Sequence, residues 1–221
     1  MNEGPEDLRR WRLPRGRHGL PRELVTRSQR ERLLAAVVRV TADNGYEETT
    51  VGDILGEAGV GRESFYELFN DKLDCTLAAH KILVDNLEQC VRRAYSGPGP
   101  WPTRMRKALA ATLDWFAADP GAARFTLVEL STVGPAFRAT FQAEFRRFTR
   151  LLDEGLENEP GTDLPRATDL AVGATMARIY EEVVLERAER LPRLLPDLTY
   201  GLLVPFVGED AARAERERAA A

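Results

Sequence analysis

Apolar residues recur along most of the chain at spacings of three and four, the period of an α-helix packed on one side. No segment shows the alternation of apolar and polar positions that marks a half-buried strand, so the pattern predicts an all-α fold. Beyond two short helices within 50–69, the predicted helices cover 23–44, about 70–95, 102–118, 120–132, 135–158, 164–190 and 192–207. The charged tail from Glu209 is predicted to be a frayed helix end.

Residues 50–72 contain two short helical patterns separated by a glycine turn. Thr50 and Asp53 have the spacing of a capping box, in which a hydroxyl and a carboxylate bind N–H groups left unpaired at a helix start. Gly59 ends the first helix, because glycine enters the left-handed region without a Cβ clash. The second helix begins after Gly61. The pattern predicts a helix-turn-helix, whose second helix fits the major groove of DNA; the alternative is a helical hairpin used in protein contact.

At these residues the chain resembles the N-terminal domain of TetR-family transcriptional regulators. The similarity runs from about Gly45 to Lys72 and includes AGV in the turn and SFYELF in the second helix. The resemblance implies a three-helix helix-turn-helix domain, joined by a long helix to a C-terminal helical domain for ligand binding and dimerisation. Within the family, the sequence looks closest to members with an Arg-rich extension ahead of the first helix.

We therefore divide the chain into a basic flexible arm at 1–22, a helix-turn-helix DNA-binding domain at 23–71, and a helical ligand-binding and dimerisation domain at 72–221. The predicted helix that ends at about Tyr95 is roughly 35 Å long, enough to link two domains rigidly. The sequence SGPGP at 96–100 then breaks the helical pattern.

The helix-turn-helix offers two kinds of candidate DNA contact. In the resembled family, donors that match these residues grip the phosphate backbone: Thr50, Tyr66 and Lys72. Arg62, Glu63 and Ser64 open the second helix and are candidates for base edges, arginine for guanine and glutamate for cytosine. Glu63 departs from the small residue or proline common in the family, and its alternatives are an ion pair with Arg62 or repulsion of phosphate.

Positive charge is concentrated ahead of the first helix, although the net charge of the chain is −4. Residues 8–22 contain six arginines and no acidic residue, whereas residues 23–74 carry a net charge of −5. Prolines and glycines interrupt the arginines, and the run from Pro14 to Arg17 resembles the centre of an AT-hook. We expect Arg15 and Arg17 to contact the minor groove, where a narrow groove attracts guanidinium groups. The alternatives are a solvated basic tail or a tail packed on the domain through Trp11 and Leu13.

Composition limits the other functional classes. With 43% hydrophobic and 30% charged residues, no apolar run long enough to span a membrane and no signal-peptide pattern, the chain is expected to be cytoplasmic. Cys75 and Cys90 lie fifteen residues apart on one predicted helix, too far apart to form a disulfide. There are two histidines and no Ser/His/Asp, Cys/His or metal-ligand grouping, so we expect neither an enzyme nor a cofactor.

Aromatic residues in the second predicted domain suggest a pocket for a small hydrophobic ligand, although a stripe at helical spacing is also ordinary core. Glu129 and Arg178 are the polar groups expected to orient such a ligand. The candidate pocket residues are Trp115, Phe116, Phe125, Glu129, Phe141, Phe145, Met176 and Tyr180.

The last two predicted helices carry apolar faces, and in the resembled family the matching region forms a four-helix bundle between two subunits. A homodimer is therefore expected. The faces comprise Leu170, Ala171, Ala174, Ile179, Val183 and Val184 on one helix, and Leu194, Leu195, Leu198, Leu202, Leu203 and Phe206 on the other.

Together these features predict a transcriptional regulator: a dimeric repressor that a small hydrophobic ligand releases from a palindromic, double-stranded operator. The alternative is an all-helical enzyme or carrier for a hydrophobic small molecule, in which the N-terminal helices serve only as structure.

Overall fold

The structure is a computed structural model that describes residues 21–134, 137, 142–143, 146–147, 149–152 and 164–220, with the backbone alone for 164–167. Within these ranges every regular element is a helix, which confirms the predicted all-α fold. The α-helices are α1 (Arg22–Asn44), α2 (Val51–Ala58), α3 (Arg62–Leu68), α4 (Lys72–Tyr95), α5 (Trp101–Ala118), α6 (Pro120–Leu127), α7 (Leu164–Val184) and α8 (Leu195–Ala220). Three 3₁₀ helices cover Glu129–Thr132, Arg150–Leu152 and Ala188–Leu194.

The first hydrophobic core lies among α1, α2, α3 and the start of α4, which together we call the head. Leu33 and Val37 of α1, Ile54 of α2 and Phe65 of α3 have no exposed surface. Burying each such side chain contributes about 1.5–3 kcal/mol. Phe125 of α6, also fully buried, packs into this core from outside the head.

The second core is built around α5, which packs against α4, α8 and the 3₁₀ helix Ala188–Leu194. α7 packs in turn against α6 and α8. The fully buried residues Leu113, Ile179 and Leu203 come from α5, α7 and α8 respectively.

Two helices belong to both cores. α4 contributes Cys75 to the head core and Leu87 to the second core, just over three helical turns further along. α6 contributes Phe125 to the head core and Ala123, two residues earlier, to the second. The head therefore shares buried surface with the rest of the molecule along two separate helices.

The C-terminal part of the chain differs from the predicted helices. The helix predicted over 120–132 becomes 3₁₀ after Val128, and the helix predicted over 164–190 ends at Val184, just before Glu186 adopts a positive φ of 55°. α8 bends at Gly208, whose φ is 74°, and then continues to Ala220. The helix predicted over 135–158 falls largely outside the described residues.

The tail beyond Glu209 is not a frayed helix end. Glu215 is only 2% exposed, and its carboxylate accepts hydrogen bonds from Thr103 Oγ1 at 2.6 Å and from Arg106 Nε at 2.8 Å. Ala212 is fully buried against the second core. The charge of the tail predicted a frayed end, but one of its charged residues, Glu215, is the buried partner of α5.

Two further expectations can be compared with the described ranges. Cys75 is buried and Cys90 exposed, and both are free thiols, as their spacing predicted. In the part of the chain that the structure describes, no helix combines the length and apolarity needed to cross a bilayer.

Candidate DNA-binding surface and ligand cavity

The helix-turn-helix forms as its residues predicted. Thr50 Oγ1 accepts a hydrogen bond from the Asp53 N–H at 3.2 Å, and Asp53 Oδ2 accepts one from the Thr50 N–H at 2.8 Å. The Thr50 hydroxyl also donates to Asp53 Oδ2 at 2.7 Å, and this bond together with the one from the Thr50 N–H holds the pKa of Asp53 below its usual value. Gly59 ends α2 in the left-handed region, with φ 59° and ψ 41°. α3 then begins after Gly61, which has an extended backbone.

Arg32 of α1 also stabilises the turn between α2 and α3. Arg32 Nε donates to the carbonyl oxygen of Ala58 at 2.9 Å, and its Nη2 donates to that of Gly59 at 2.5 Å. A cation at a helix C-terminus complements the helix dipole and satisfies carbonyls that lack intrahelical partners. A Cβ on Gly59 would lie 3.1 Å from Arg32 Nη2 and would displace the guanidinium by a few tenths of an ångström, whereas the positive φ itself favours glycine. The sequence analysis missed Arg32, because its spacing marks it only as an outward position of α1.

The recognition helix α3 presents a polar face above a buried aromatic pair. Phe65 is fully buried and lies 5.7 Å from Phe69 between ring centroids. Arg62 and Glu63 are exposed at the helix start, and among the described side chains no ion pair joins them. The exposed face continues with Tyr66, which is 52% exposed. The structure thus leaves these three side chains accessible on one short helix.

Ser64 and Lys72 are less available. Ser64 is half-buried, and its hydroxyl accepts a hydrogen bond from Gln29 Nε2 at 3.3 Å. Lys72 Nζ donates to the carbonyl oxygens of Tyr46 and Thr49, each at 2.7 Å, and lies 3.5 Å from that of Glu47. Burial lowers the pKa of Lys72, and nearby glutamates offset part of the shift. All three donors of the ammonium therefore point at the backbone of the head.

The arm residues Arg15 and Arg17 lie outside the described residues. The start of α1 lies beside the recognition helix, as shown by the 3.8 Å between Arg22 Nη2 and Glu67 Oε1 of α3. Both side chains are exposed, so this ion pair contributes little to stability and serves only to locate the start of α1 relative to α3.

A cavity of about 140 Å³ lies within the second core. Its walls come mainly from α4, α5, α6 and α7, and nearly all of the lining is apolar. The lining residues are His80, Val84, Leu87, Val91, Met105, Ala108, Leu109, Thr112, Phe116, Thr126, Leu127, Leu151, Leu152, Val172, Thr175, Met176, Ile179 and Leu202.

Sequence comparison gives the same assignment as the head geometry. The family described as "Bacterial regulatory proteins, tetR family" matches residues 33–79, from within α1 to the start of α4. The matched part of the chain is therefore similar to the DNA-binding domain of that family. A relative, the HTH-type transcriptional activator FasR of Mycolicibacterium smegmatis, is 29% identical over 154 residues, which are 70% of this chain and 68% of the relative. Both comparisons support a transcriptional regulator with a DNA-binding helix-turn-helix.

Solved structures share the fold. The fatty acid degradation regulator FadR of Bacillus halodurans is 21% identical, with a TM-score of 0.72 over 79% of this chain and 94% of its own. FadR of Bacillus subtilis, solved in complex with stearoyl-CoA, is 20% identical, with a TM-score of 0.67 over 80% of this chain and 97% of its own.

The cavity contains two of the residues expected to bind ligand, Phe116 and Met176. Phe125, Glu129 and Trp115 lie elsewhere: Phe125 in the head core, Glu129 against the head, and Trp115 at the edge of the second core. Phe141 and Phe145 fall outside the described residues. Aromatic type and helical spacing could not show which side of each helix faces the cavity.

The remaining two expected residues lie on the outer side of α7. Tyr180 is 42% exposed and does not line the cavity. Arg178 forms ion pairs with Glu181 and Glu182 on its own helix. The cavity side of α7 instead carries Val172, which the sequence analysis did not single out.

The apolar faces predicted for dimerisation are mostly turned inward. In α7 and α8 the core of this subunit takes Ala171, Ile179, Val183, Leu198, Leu202, Leu203 and Phe206. The exposed apolar positions of α7 are Leu170, at 74%, Tyr180, at 42%, and Val184, at 41%. Both kinds of face follow helical spacing, so sequence alone could not separate the stripe that fills the subunit from the stripe on its surface.

Proposed function

We propose that this TetR-family regulator is a dimeric repressor whose apolar cavity takes a long-chain acyl group, and that the acyl ligand releases it from a palindromic operator. The observation that carries the proposal is that α4 and α6 line the cavity and also complete the head core. A molecule that moves either helix must also move the head. Ligand and operator would then favour different head positions, which is the condition for linkage between two sites.

The lining of the cavity supports an acyl chain. Thr112 and Thr175 donate their hydroxyls to carbonyl oxygens of their own helices, both at 2.9 Å, which leaves their methyl groups for an apolar ligand. The lining runs along α4 from His80 to Val91, roughly 16 Å of helix. Such a long apolar wall suits an unbranched chain, and the stearoyl-CoA complex of the Bacillus subtilis neighbour shows this kind of molecule bound to a protein of the same fold.

The DNA contacts that we propose divide by the chemistry of their side chains. Arg62, Glu63 and Ser64 read base edges in the major groove. Thr50 and Tyr66 contact phosphate oxygens, and their hydroxyls lie at the start of α2 and on the exposed side of α3. Arg15 and Arg17 of the arm enter the minor groove. Lys72 contributes by holding the backbone at 46–49 in place.

The dimer that we propose forms through the exposed face of α7. Leu170 and Val184 are fourteen residues apart, close to four helical turns, and Tyr180 lies four residues before Val184. The exposed residues between Leu170 and Tyr180 are small, namely Gly173, Ala174 and Ala177. Small residues let helices approach closely, and an apolar stripe on one α7 matches the same stripe on a second copy. Two heads related by this two-fold axis would read a palindrome.

The proposal is tested by measuring binding to DNA from the region upstream of the gene, with and without stearoyl-CoA. We expect specific binding that falls as stearoyl-CoA is added, and no comparable effect of free coenzyme A. In vitro transcription from the same DNA tests the direction of regulation. Ligand-dependent activation would favour the second candidate, an activator, to which the name of the relative FasR points.

A further inference from the structure

The buried carboxylate of Glu129 joins the cavity wall to the head. We propose that Glu129 is a positioning residue that transmits filling of the cavity to residues 45–50, the link between α1 and α2. The inference rests on the proposed ligand response, because it names the route by which that response reaches the head. It gives Glu129 a role different from the ligand-orienting role predicted from its apolar surroundings in the sequence.

Glu129 is 6% exposed and faces the head rather than the cavity. Its Oε2 accepts a hydrogen bond from the backbone N–H of Tyr46 at 3.2 Å, and its Oε1 lies 3.1 Å from Arg124 Nη2. A Cβ built on Gly45 would stand 3.4 Å from Oε2, so the carboxylate packs directly against the end of α1. A buried charge needs such partners, because an unpaired carboxylate in this position is strongly unfavourable.

The link that Glu129 contacts is held tightly from within the head. The Tyr46 carbonyl accepts a hydrogen bond from Lys72, so the two ends of the Tyr46 backbone are bound by an anion and a cation. Thr49 is 1% exposed, and its hydroxyl donates to the Gly45 carbonyl at 2.7 Å. Because this backbone is constrained, a displacement of Tyr46 also displaces Thr50, where α2 begins.

The cavity lies directly behind the same segment. Thr126 and Leu127, in the last turn of α6, line the cavity, and the 3₁₀ helix that follows begins at Glu129. On either side of this short stretch, Phe125 and Leu130 are fully buried in the head core. Within residues 125–130, some side chains line the cavity and others contact the head. A ligand that displaces Leu127 also displaces Glu129, and Tyr46 follows because neither partner of the hydrogen bond can be left unpaired.

The inference is tested with a double-mutant cycle. One change is Glu129→Ala, and the other fills the cavity. The cavity is filled by Ala108→Leu in one experiment and by stearoyl-CoA, which needs no additional mutation, in another. DNA affinity is measured for all combinations by fluorescence anisotropy. In the wild type we expect each filling to change DNA affinity by about tenfold, within the usual range of allosteric coupling. In Glu129→Ala the same fillings should change it less than about twofold.

Glu215→Gln is the matched control, because Glu215 is an equally buried carboxylate with arginine and hydroxyl partners, in α8 rather than beside the head. It should lower stability and leave the response of DNA binding to filling at the wild-type ratio. The Tyr46 amide gives a direct reading: its hydrogen exchange should stay slow in the wild type whether or not the cavity is filled, because the bond to Glu129 is kept as both residues move, and it should be fast in Glu129→Ala in both states.

The outcomes separate the two proposals. If filling changes DNA affinity equally in the wild type and in Glu129→Ala, the role of Glu129 is overturned while the ligand response stands. If neither filling changes the DNA affinity of the wild type, the ligand response itself fails, and the role of Glu129 fails with it.

Discussion

Lys72 and Tyr46 contact each other twice: the Lys72 ammonium lies 2.7 Å from the Tyr46 carbonyl oxygen and 4.1 Å from the centroid of the Tyr46 ring. Lys72, the first residue of α4, thus uses its ammonium group to bind the link between α1 and α2. A phosphate would have to compete with backbone carbonyls for the same donors. The contribution of Lys72 to DNA binding is therefore expected to pass through the shape of the head.

Lys72→Met should lower the free energy of unfolding by about 1–3 kcal/mol, because it leaves buried carbonyls without their donor. Operator and scrambled DNA should both bind more weakly, while the dependence of affinity on salt stays near that of the wild type. Urea unfolding and a salt titration of DNA binding check this. Lys81→Met is the control, since Lys81 is exposed and pairs only with Asp85 along α4. A clearly shallower salt dependence in Lys72→Met would show direct phosphate contact.

Arg62→Ala should relax base preference at one position of each half-site, at a cost of about 1–3 kcal/mol per contact. Arg62 is exposed at the start of α3, so its removal should leave the fold intact. Selection of bound sequences from a random pool measures the preference. Arg193→Ala, an exposed arginine distant in sequence from the head, is the control. Equal loss of affinity for operator and scrambled DNA would remove Arg62 from the base-reading set.

Deleting residues 1–20 should reduce the slope of log affinity for DNA against log salt concentration by several units. Each phosphate that a protein neutralises adds about 0.9 to that slope. Preference for A·T-rich flanks should disappear, while the major-groove preference and the helix content remain. The acidic balance of residues 23–74 makes the arm the main source of long-range attraction. An unchanged slope would reduce the arm to a solvated tail.

Val184→Asp should give a monomer with near-native helix content, since Val184 is 41% exposed in one subunit and a charge there is costly only when a second copy covers it. Light scattering and circular dichroism measure the two effects. Leu203→Asp is the contrast: Leu203 is fully buried within the subunit, so this variant should unfold rather than dissociate. A dimeric Val184→Asp protein would place the interface on another face.

Glu215→Gln should also change the pH dependence of stability. Desolvation raises the pKa of Glu215, but hydrogen bonds from Thr103, Arg106 and Arg218 outweigh it, so the pKa lies below its usual value of 4.5. A depressed carboxyl pKa gives stability that is present above the unfolded pKa and is lost as pH falls through the folded one. At pH 7 the variant should be less stable by about 3 kcal/mol, the cost of breaking a buried pair.

Urea unfolding across the acid range measures this difference. Below pH 4.5 the wild-type stability should fall towards that of Glu215→Gln, and the two curves should converge. Parallel curves over that range would mean that Glu215 is not ionised in the folded protein.

The head was predictable because its elements are decided locally. A capping residue, a left-handed glycine and two aromatics one turn apart each fix a backbone feature within a few positions, and the structure contains all of them. The position of the cavity was not predictable in this way. Which side of this segment meets the cavity and which meets the head depends on helices far apart in sequence, so Phe125 and Glu129, expected from residue type to line a pocket, contact the head instead.

The same limit explains the C-terminal helix and the dimer face. Nothing near Glu215 in the sequence points to Thr103 and Arg106, more than a hundred positions earlier. On α7, an inward stripe and an outward stripe have the same period, and only the packing of α8 distinguishes them.

Phe125 and Leu130 lie in the head core, although they follow the whole of α5 in the chain. The DNA-reading portion is therefore not a module that ends where its family motif ends. A fragment stopping at Tyr95 would expose the surface that these two side chains cover, and a chimera that exchanges heads between relatives would need to exchange α6 with them. Under the proposed ligand response, substitutions in α6 would act on the head and on the cavity at once.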